Sequence, residues 1–300
     1  MQYLRLMIRE GFNQLLRLAV PVSLLLCCSI SSHATIYVIV IGRRQIAIAS
    51  DSRRATMVGS RITTADGIEK VVPLGSRIAF MSAGLSEIST NSTTIMPDRV
   101  AKECYLSLTK NRGRVSIGHL SDAFGQTITE RMNRLSASGK AQIDTMLQQF
   151  GSQGNQAMES IFVGVDDDGQ LRIETVNVYL HPPSSATESA GFEWTRHETS
   201  GNDPNIILSG DVGVLRSAFE NDASPIAQLS SFKTWWQAFR EGKTVDSGQT
   251  AEGLVSLAIK YSPPERIGLG YPIFVYAVNV QNGFRKLRSV PRGKASLLPH

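Results

Sequence analysis

Two hydrophobic periods divide the chain after residue 35. Over Ile36–Val40 and Gln45–Ser50, apolar and often β-branched residues follow one another almost without a polar break. Such runs predict strands buried on both faces, and the intervening Ile41-Gly42-Arg43-Arg44 predicts a hairpin turn. A turn-rich stretch at 57–61 leads to predicted strands at Ile68–Leu74 and Arg77–Ser82, the second ending at Ala83-Gly84. The period then becomes helical. Val100, Ala101, Cys104 and Leu108 share one stripe behind Pro97-Asp98. Ile117, Leu120, Phe124, Ile128, Met132 and Leu135 share a longer one, with Ser116 placed to cap it. Residues 139–150 predict one further short helix.

Strands return at Ile161–Val165 and Leu171–Leu180, joined by Asp166-Asp167-Asp168-Gly169. These acids lack the spacing of a calcium loop, so they read as turn chemistry and no metal is expected. Residues 181–204 are rich in Pro, Ser, Thr and Gly and predict a long surface loop. A strand at Asn205–Ser209, a helix near 212–220, an irregular region around Trp235-Trp236 and a helix at 249–261 follow. Strands at Pro272–Val280 and Arg285–Arg288 close the domain, with residues 291–300 as a tail. Strands, helices, strands, helices, strands in that order suit an α+β fold: a four-layer α/β/β/α sandwich over residues 35–290.

Residues 1–34 differ from all of this. Arg5, Arg9 and Arg17 face a single acid, Glu10, and precede the apolar run Leu18–Ile30. Thirteen residues suit the apolar core of a secretory signal and are short for a membrane span. Ser32 and Ala34 are small residues of the kind found before a signal-peptidase cut. Residues 1–34 are therefore expected to be a cleaved signal peptide, and the mature protein to be periplasmic or secreted. An uncleaved anchor and a lipoprotein are the alternatives, although Leu26 is large for the position before a lipidated Cys27. Met7 offers a second start. Contact with the membrane is expected only through this segment.

Loss of residues 1–34 removes Cys27 and Cys28, so Cys104 stands alone and no intrachain disulfide can form. Cys104 lies on the apolar side of its helix and is expected in the core. The formal net charge of +5 falls by two when Arg5, Arg9, Arg17 and Glu10 are removed. The remaining basic residues are scattered, so no nucleic-acid partner is expected. His33 leaves with the signal and His119 lies off the helical stripe, so the histidines form no catalytic pattern.

A cut after Ala34 changes the chemistry of Thr35. Its α-amine becomes free, with an ordinary pKa of about 7.7–8.0, and can act as general base for its own hydroxyl. Here the residues take on a recognisable form. Thr35 to Thr56, with Asp51-Ser52-Arg53 inside it, then Lys70-Val71-Val72-Pro73-Leu74 and Ile78–Gly84, resemble the start of a proteasome β-type subunit, an N-terminal nucleophile (Ntn) hydrolase. The resemblance is specific over 35–84 and is mostly one of element order beyond.

The resemblance implies Thr35 as nucleophile and Asp51 as the carboxylate that orients a lysine. Lys70 is the candidate lysine, with about two more residues between them than the family usually has. It implies backbone N–H donors at Ala83 and Gly84 for the oxyanion, and Ser209, in Ser209-Gly210-Asp211, as a residue that positions the amine. Near Pro264–Gly270 the family has an acid and a serine. Glu265 would be the acid, and Gly268 stands in place of the serine.

The expectation is a threonine-type hydrolase of peptide or other amide bonds, with no cofactor. An inactive assembly or binding subunit and a small-molecule amidohydrolase or acyltransferase remain open alternatives. The resemblance also implies a ring-like homo-oligomer. An ATPase partner is not expected outside the cytoplasm.

Overall fold

The computed structural model describes residues 29–33, 35–58, 61–89, 94–112, 114–138, 155–181, 191–201, 203–243, 245–263, 269–295 and 298. The predicted helix at 139–150 lies outside them. From the N-terminus come β1 (Ser29–His33), β2 (Ile36–Ile41), β3 (Ile46–Ser50), β4 (Arg54–Val58), β5 (Arg61–Ala65), β6 (Val72–Leu74), β7 (Ile78–Ser89) and β8 (Thr94–Ile95). Helices α1 (Pro97–Arg112) and α2 (Ile117–Ser138) follow, then β9 (Gln156–Val165), β10 (Leu171–His181), β11 (Gly191–Ser200) and β12 (Asn205–Gly210). Helices α3 (Gly213–Glu220), α4 (Ser230–Arg240) and α5 (Ser247–Tyr261) precede β13 (Ile273–Asn279) and β14 (Gly283–Val290).

The strands form two antiparallel sheets. The larger runs β11-β10-β9-β7-β1-β4-β5, with β6 and β8 also paired to β7. The smaller runs β12-β2-β3-β13-β14. The near-continuous apolar runs of β2 and β3 follow from burial of both faces. Ile36, Val38, Val40, Ala47 and Ala49 pack with Trp235 of α4 and Leu254, Val255 and Ala258 of α5. Tyr37, Ile39, Ile41, Ile46 and Ile48 point the other way, to Ala79, Met81, Ile161 and Val163 of the larger sheet. Strand period two sends alternate residues to these two clusters.

A third cluster joins the larger sheet to α1 and α2 through the helical stripes, Cys104 included. At its centre Phe80, Phe124 and Phe162 meet with ring centroids 5.0–5.4 Å apart. Phe124→Ala should destabilise the fold by about 3–5 kcal/mol, read by urea denaturation, because closure of so large a void by neighbouring strands is resisted.

Several elements differ from expectation. Residues 54–58 and 61–65 form the paired strands β4 and β5, and the predicted strand at Ile68–Leu74 shortens to Val72–Leu74. Part of the predicted loop at 181–204 is strand β11, held along the whole of β10. Trp194 of β11 sits over Gly125 of α2, where a Cβ would come within 2.4 Å of the indole. Asn133 of α2 accepts from the Phe192 N–H and donates to the Phe192 carbonyl. The region around Trp235-Trp236 is helical because Phe232 and Trp235, one turn apart, are both buried.

The first N–H of α2 is bonded by a side chain from elsewhere in the chain. Asp166, in the β9–β10 turn, accepts from Ile117 N at 2.7 Å and pairs with Arg172 Nε at 2.8 Å. The carboxylates of Asp166, Asp167 and Asp168 stand close together, but those of Asp166 already serve the helix end and Arg172. Leu298, within the predicted tail, is buried against Gly253 of α5.

Candidate active site

The site grows out of the β2–β3 hairpin. Tyr37 pairs with Ser50, so Asp51, one residue beyond β3, lies beside the start of β2. Its carboxylate is fully buried and accepts four hydrogen bonds. Oδ1 takes the Ile36 N–H at 3.0 Å and the Lys70 ammonium at 2.9 Å. Oδ2 takes the Arg53 N–H at 3.1 Å and the Gly270 N–H at 3.3 Å. The Lys70 side chain is only 5% exposed, so the pair is a buried one. Burial alone penalises such a pair, which persists where its remaining donors and acceptors are satisfied. Burial pushes the Asp51 carboxyl up, and Lys70 with the Ile36 and Arg53 amides draws it back toward its ionised form.

The extra residues between Asp51 and Lys70 do not separate them, because the β4–β5 hairpin takes up the chain. Arg53 closes its base with two bonds to Asp66, at 2.6 and 2.9 Å. The Tyr37 hydroxyl stands 3.2 Å from the Lys70 carbonyl and 3.1 Å from that of Ser82, tying the Lys70 backbone to β7.

Thr35 lies one residue before β2 and is wholly buried. Its Oγ1 has no hydrogen-bond partner, so Lys70 is not bonded to it in the uncut chain. A buried hydroxyl left unpaired is uncommon in folded proteins and costs about 1–3 kcal/mol. The Thr35 carbonyl accepts from Asp211 N at 2.8 Å, continuing the β12–β2 ladder past Gly210 and Ile36. Gly210 adopts φ +86°, and a Cβ there would meet the Thr35 carbonyl oxygen at 1.8 Å. Gly210→Ala should therefore destabilise by about 3 kcal/mol or more through strain and displacement of Thr35, measured by thermal melting.

Ala83 and Gly84 lie inside β7, which continues to Ser89 instead of ending there. Gly84 has φ +91°, and a Cβ would come 2.6 Å from the Ala157 carbonyl oxygen. Its other neighbour is β1, with His33 opposite Gly84. The chain thus crosses Gly84 immediately ahead of Thr35.

Ser209 is buried and donates to Glu159 Oε2 at 2.5 Å. Glu159 is absent from the sequence-based set. The available signal was an acid inside the apolar run of β9, since carboxylates are rarely buried without a partner. The predicted strand began only at Ile161 and so left Glu159 out. Glu265 and Gly268 lie outside the described residues. Gly270, at the end of that segment, does reach Asp51. Thr35, Asp51, Lys70, Ser209, Ala83 and Gly84 are thus linked through the β12–β2–β3 ladder and its contacts with β7 and β9.

No protein-family model matches the chain, and no curated protein matches it. Solved structures similar in chain course include an Anbu mutant from Hyphomicrobium sp. strain MC1 (TM-score 0.45, 11% identity, 87% of this chain and 88% of that one). Anbu, described as an ancestral beta-subunit, from Yersinia bercovieri has TM-score 0.45 and 14% identity over 86% and 88% of the two chains. The helical assembly of the Anbu complex from Pseudomonas aeruginosa has TM-score 0.47 and 14% identity over 87% and 88%. At these scores the likenesses assign neither family nor activity.

Proposed function

We propose that the chain is cut after Ala34 and that the mature, exported protein is a threonine-type hydrolase of peptide or other amide bonds. The observation that carries this is the buried, unpartnered Thr35 hydroxyl beside a buried Asp51–Lys70 pair. In the reaction, Thr35 Oγ attacks the carbonyl carbon while its proton passes to the Thr35 α-amine. Backbone N–H groups at Ala83-Gly84 receive the oxyanion. The α-amine returns the proton to the leaving nitrogen, the C–N bond breaks, and an ester on Thr35 remains. Water, deprotonated by the same amine, attacks the ester; the acyl–Oγ bond breaks, the amine passes that proton to Thr35 Oγ, and the acid is released. The Lys70 ammonium keeps the amine neutral enough to act, since a nearby like charge disfavours protonation. Asp51 holds that ammonium.

A peptide substrate is favoured by β1. In the uncut chain it lies antiparallel between β7 and β4, paired to both. Once cut free, it leaves two strand edges that an extended peptide can pair with. The three apolar clusters support a four-layer α/β/β/α order around this cleft. An assembly of copies belongs to the same reading. Gly268, in place of a serine, favours the alternative of an inactive subunit.

Chains produced with Thr35 first and with Ala34 retained separate these readings. Only the first should hydrolyse fluorogenic peptide amides. Equal activity would place the chemistry elsewhere, and inactivity of both would favour the inactive subunit.

A further inference from the structure

Glu159 belongs to the larger sheet, where it pairs with Ala83, yet its carboxylate serves the smaller one. It accepts from the Ser209 hydroxyl and from the Gly210 N–H. Burial pushes the Glu159 carboxyl up, and these two donors with Arg216 of α3 draw it back. An ionised carboxylate can only accept, so the one proton of Ser209 is committed to Glu159. The lone pairs of Ser209 are then left to accept from another donor.

The register of β12 against β2 offers a candidate for that donor. Ser209 lies opposite Tyr37, and Asp211 donates to the Thr35 carbonyl, so Ser209 and Thr35 share a face as diagonal neighbours. Both side chains are buried, and the Thr35 hydroxyl is unpartnered. We propose that Glu159 is a positioning residue: it fixes the Ser209 hydroxyl as an acceptor for an N–H of the Thr35 α-amine, aiming the amine's lone pair at Thr35 Oγ. This rests on the reading of Thr35 as a free N-terminal residue.

Glu159→Gln reverses the polarity. If its amide oxygen keeps the Gly210 N–H, its NH2 donates to Ser209, whose proton must then point away. Loss of a negative charge and loss of an acceptor act on the amine in the same direction: both disfavour the ammonium and lower its pKa. The other charges at this end are Arg216, Asp211, and Lys70 held by Asp51, and all are unchanged by the substitution.

The experiment uses the mature chain beginning at Thr35, as wild type, Glu159→Gln, Ser209→Ala and the double variant. The α-amine is titrated by the pH dependence of its acylation rate, read from the mass of the N-terminal peptide. Both single variants should lower the amine pKa by about half a unit to one unit. The acid limb of kcat/KM should move to lower pH by the same amount. We expect kcat to fall about 10–100-fold, KM to stay within about twofold, and the double variant to be no worse than the worse single one. A clamp that only joins the sheets would lower the melting temperature and leave the titration unmoved. An unshifted amine in a folded Glu159→Gln chain overturns the proposal, as does an unshifted amine in Ser209→Ala should the first variant fail to fold. If the titration shifts but the wild type hydrolyses nothing, the positioning role stands and the hydrolase reading falls.

Discussion

Thr35→Ala in the mature chain is expected to lower amide hydrolysis by about a thousandfold or more and to leave the fold intact. The substitution keeps an α-amine at the same place and removes the oxygen that attacks, together with the γ-methyl group. Stability should change little, because removing a buried hydroxyl that has no hydrogen-bond partner offsets the packing lost with the buried methyl. Turnover of a fluorogenic peptide and a thermal melt, taken on the same sample, check both halves. Undiminished turnover would remove Thr35 from the chemistry. A collapsed melt would mean that the loss of activity says nothing about the nucleophile, and Thr35→Ser, which keeps an oxygen, would then carry the comparison.

Asp51 and Lys70 should lose activity as one unit. Four donors surround the Asp51 carboxylate, so Asp51→Asn turns an NH2 group toward donors and strands the Lys70 ammonium in a buried place. Lys70→Met leaves the carboxylate with three amide donors and no countercharge. Each single variant should lower kcat by about a hundredfold or more, with smaller changes in KM. Asp51→Asn should also cost about 3–5 kcal/mol of stability, the range for breaking a buried pair on one side. The double variant should recover part of that stability and remain inactive. Additive losses in kcat would contradict a shared role.

The sequence makes the β2–β3 hairpin legible because both faces are apolar, and such a pattern has few other outcomes. The Asp51–Lys70 contact is legible only through the resemblance of residues 35–84 to a known pattern. Nothing local shows that the β4–β5 hairpin folds out of the way between the two. Strand β11 is hidden for a different reason. Glu193, Arg196, His197 and Glu198 give it the polarity of a loop, since one face meets solvent and, on the other, Phe192 and Trp194 are followed by Arg196, which bonds the Gly118 carbonyl and Asp122 of α2. In α4 the aromatics obscure a helical stripe that Phe232, Trp235 and Phe239 do carry. Glu159 is the instructive omission. Its function lies in a contact between sheets, and the residue it serves, Ser209, is fifty positions away.

Everything proposed for the site depends on export making Thr35 the first residue. Edman degradation of the exported protein, backed by its intact mass, tests it most directly. The first cycle should release threonine, followed by isoleucine, tyrosine and valine, from Thr35 through Val38. A chain that begins at Met1, Ala34 or Ile36 would contradict it, because Thr35 would then have no free amine or would be gone.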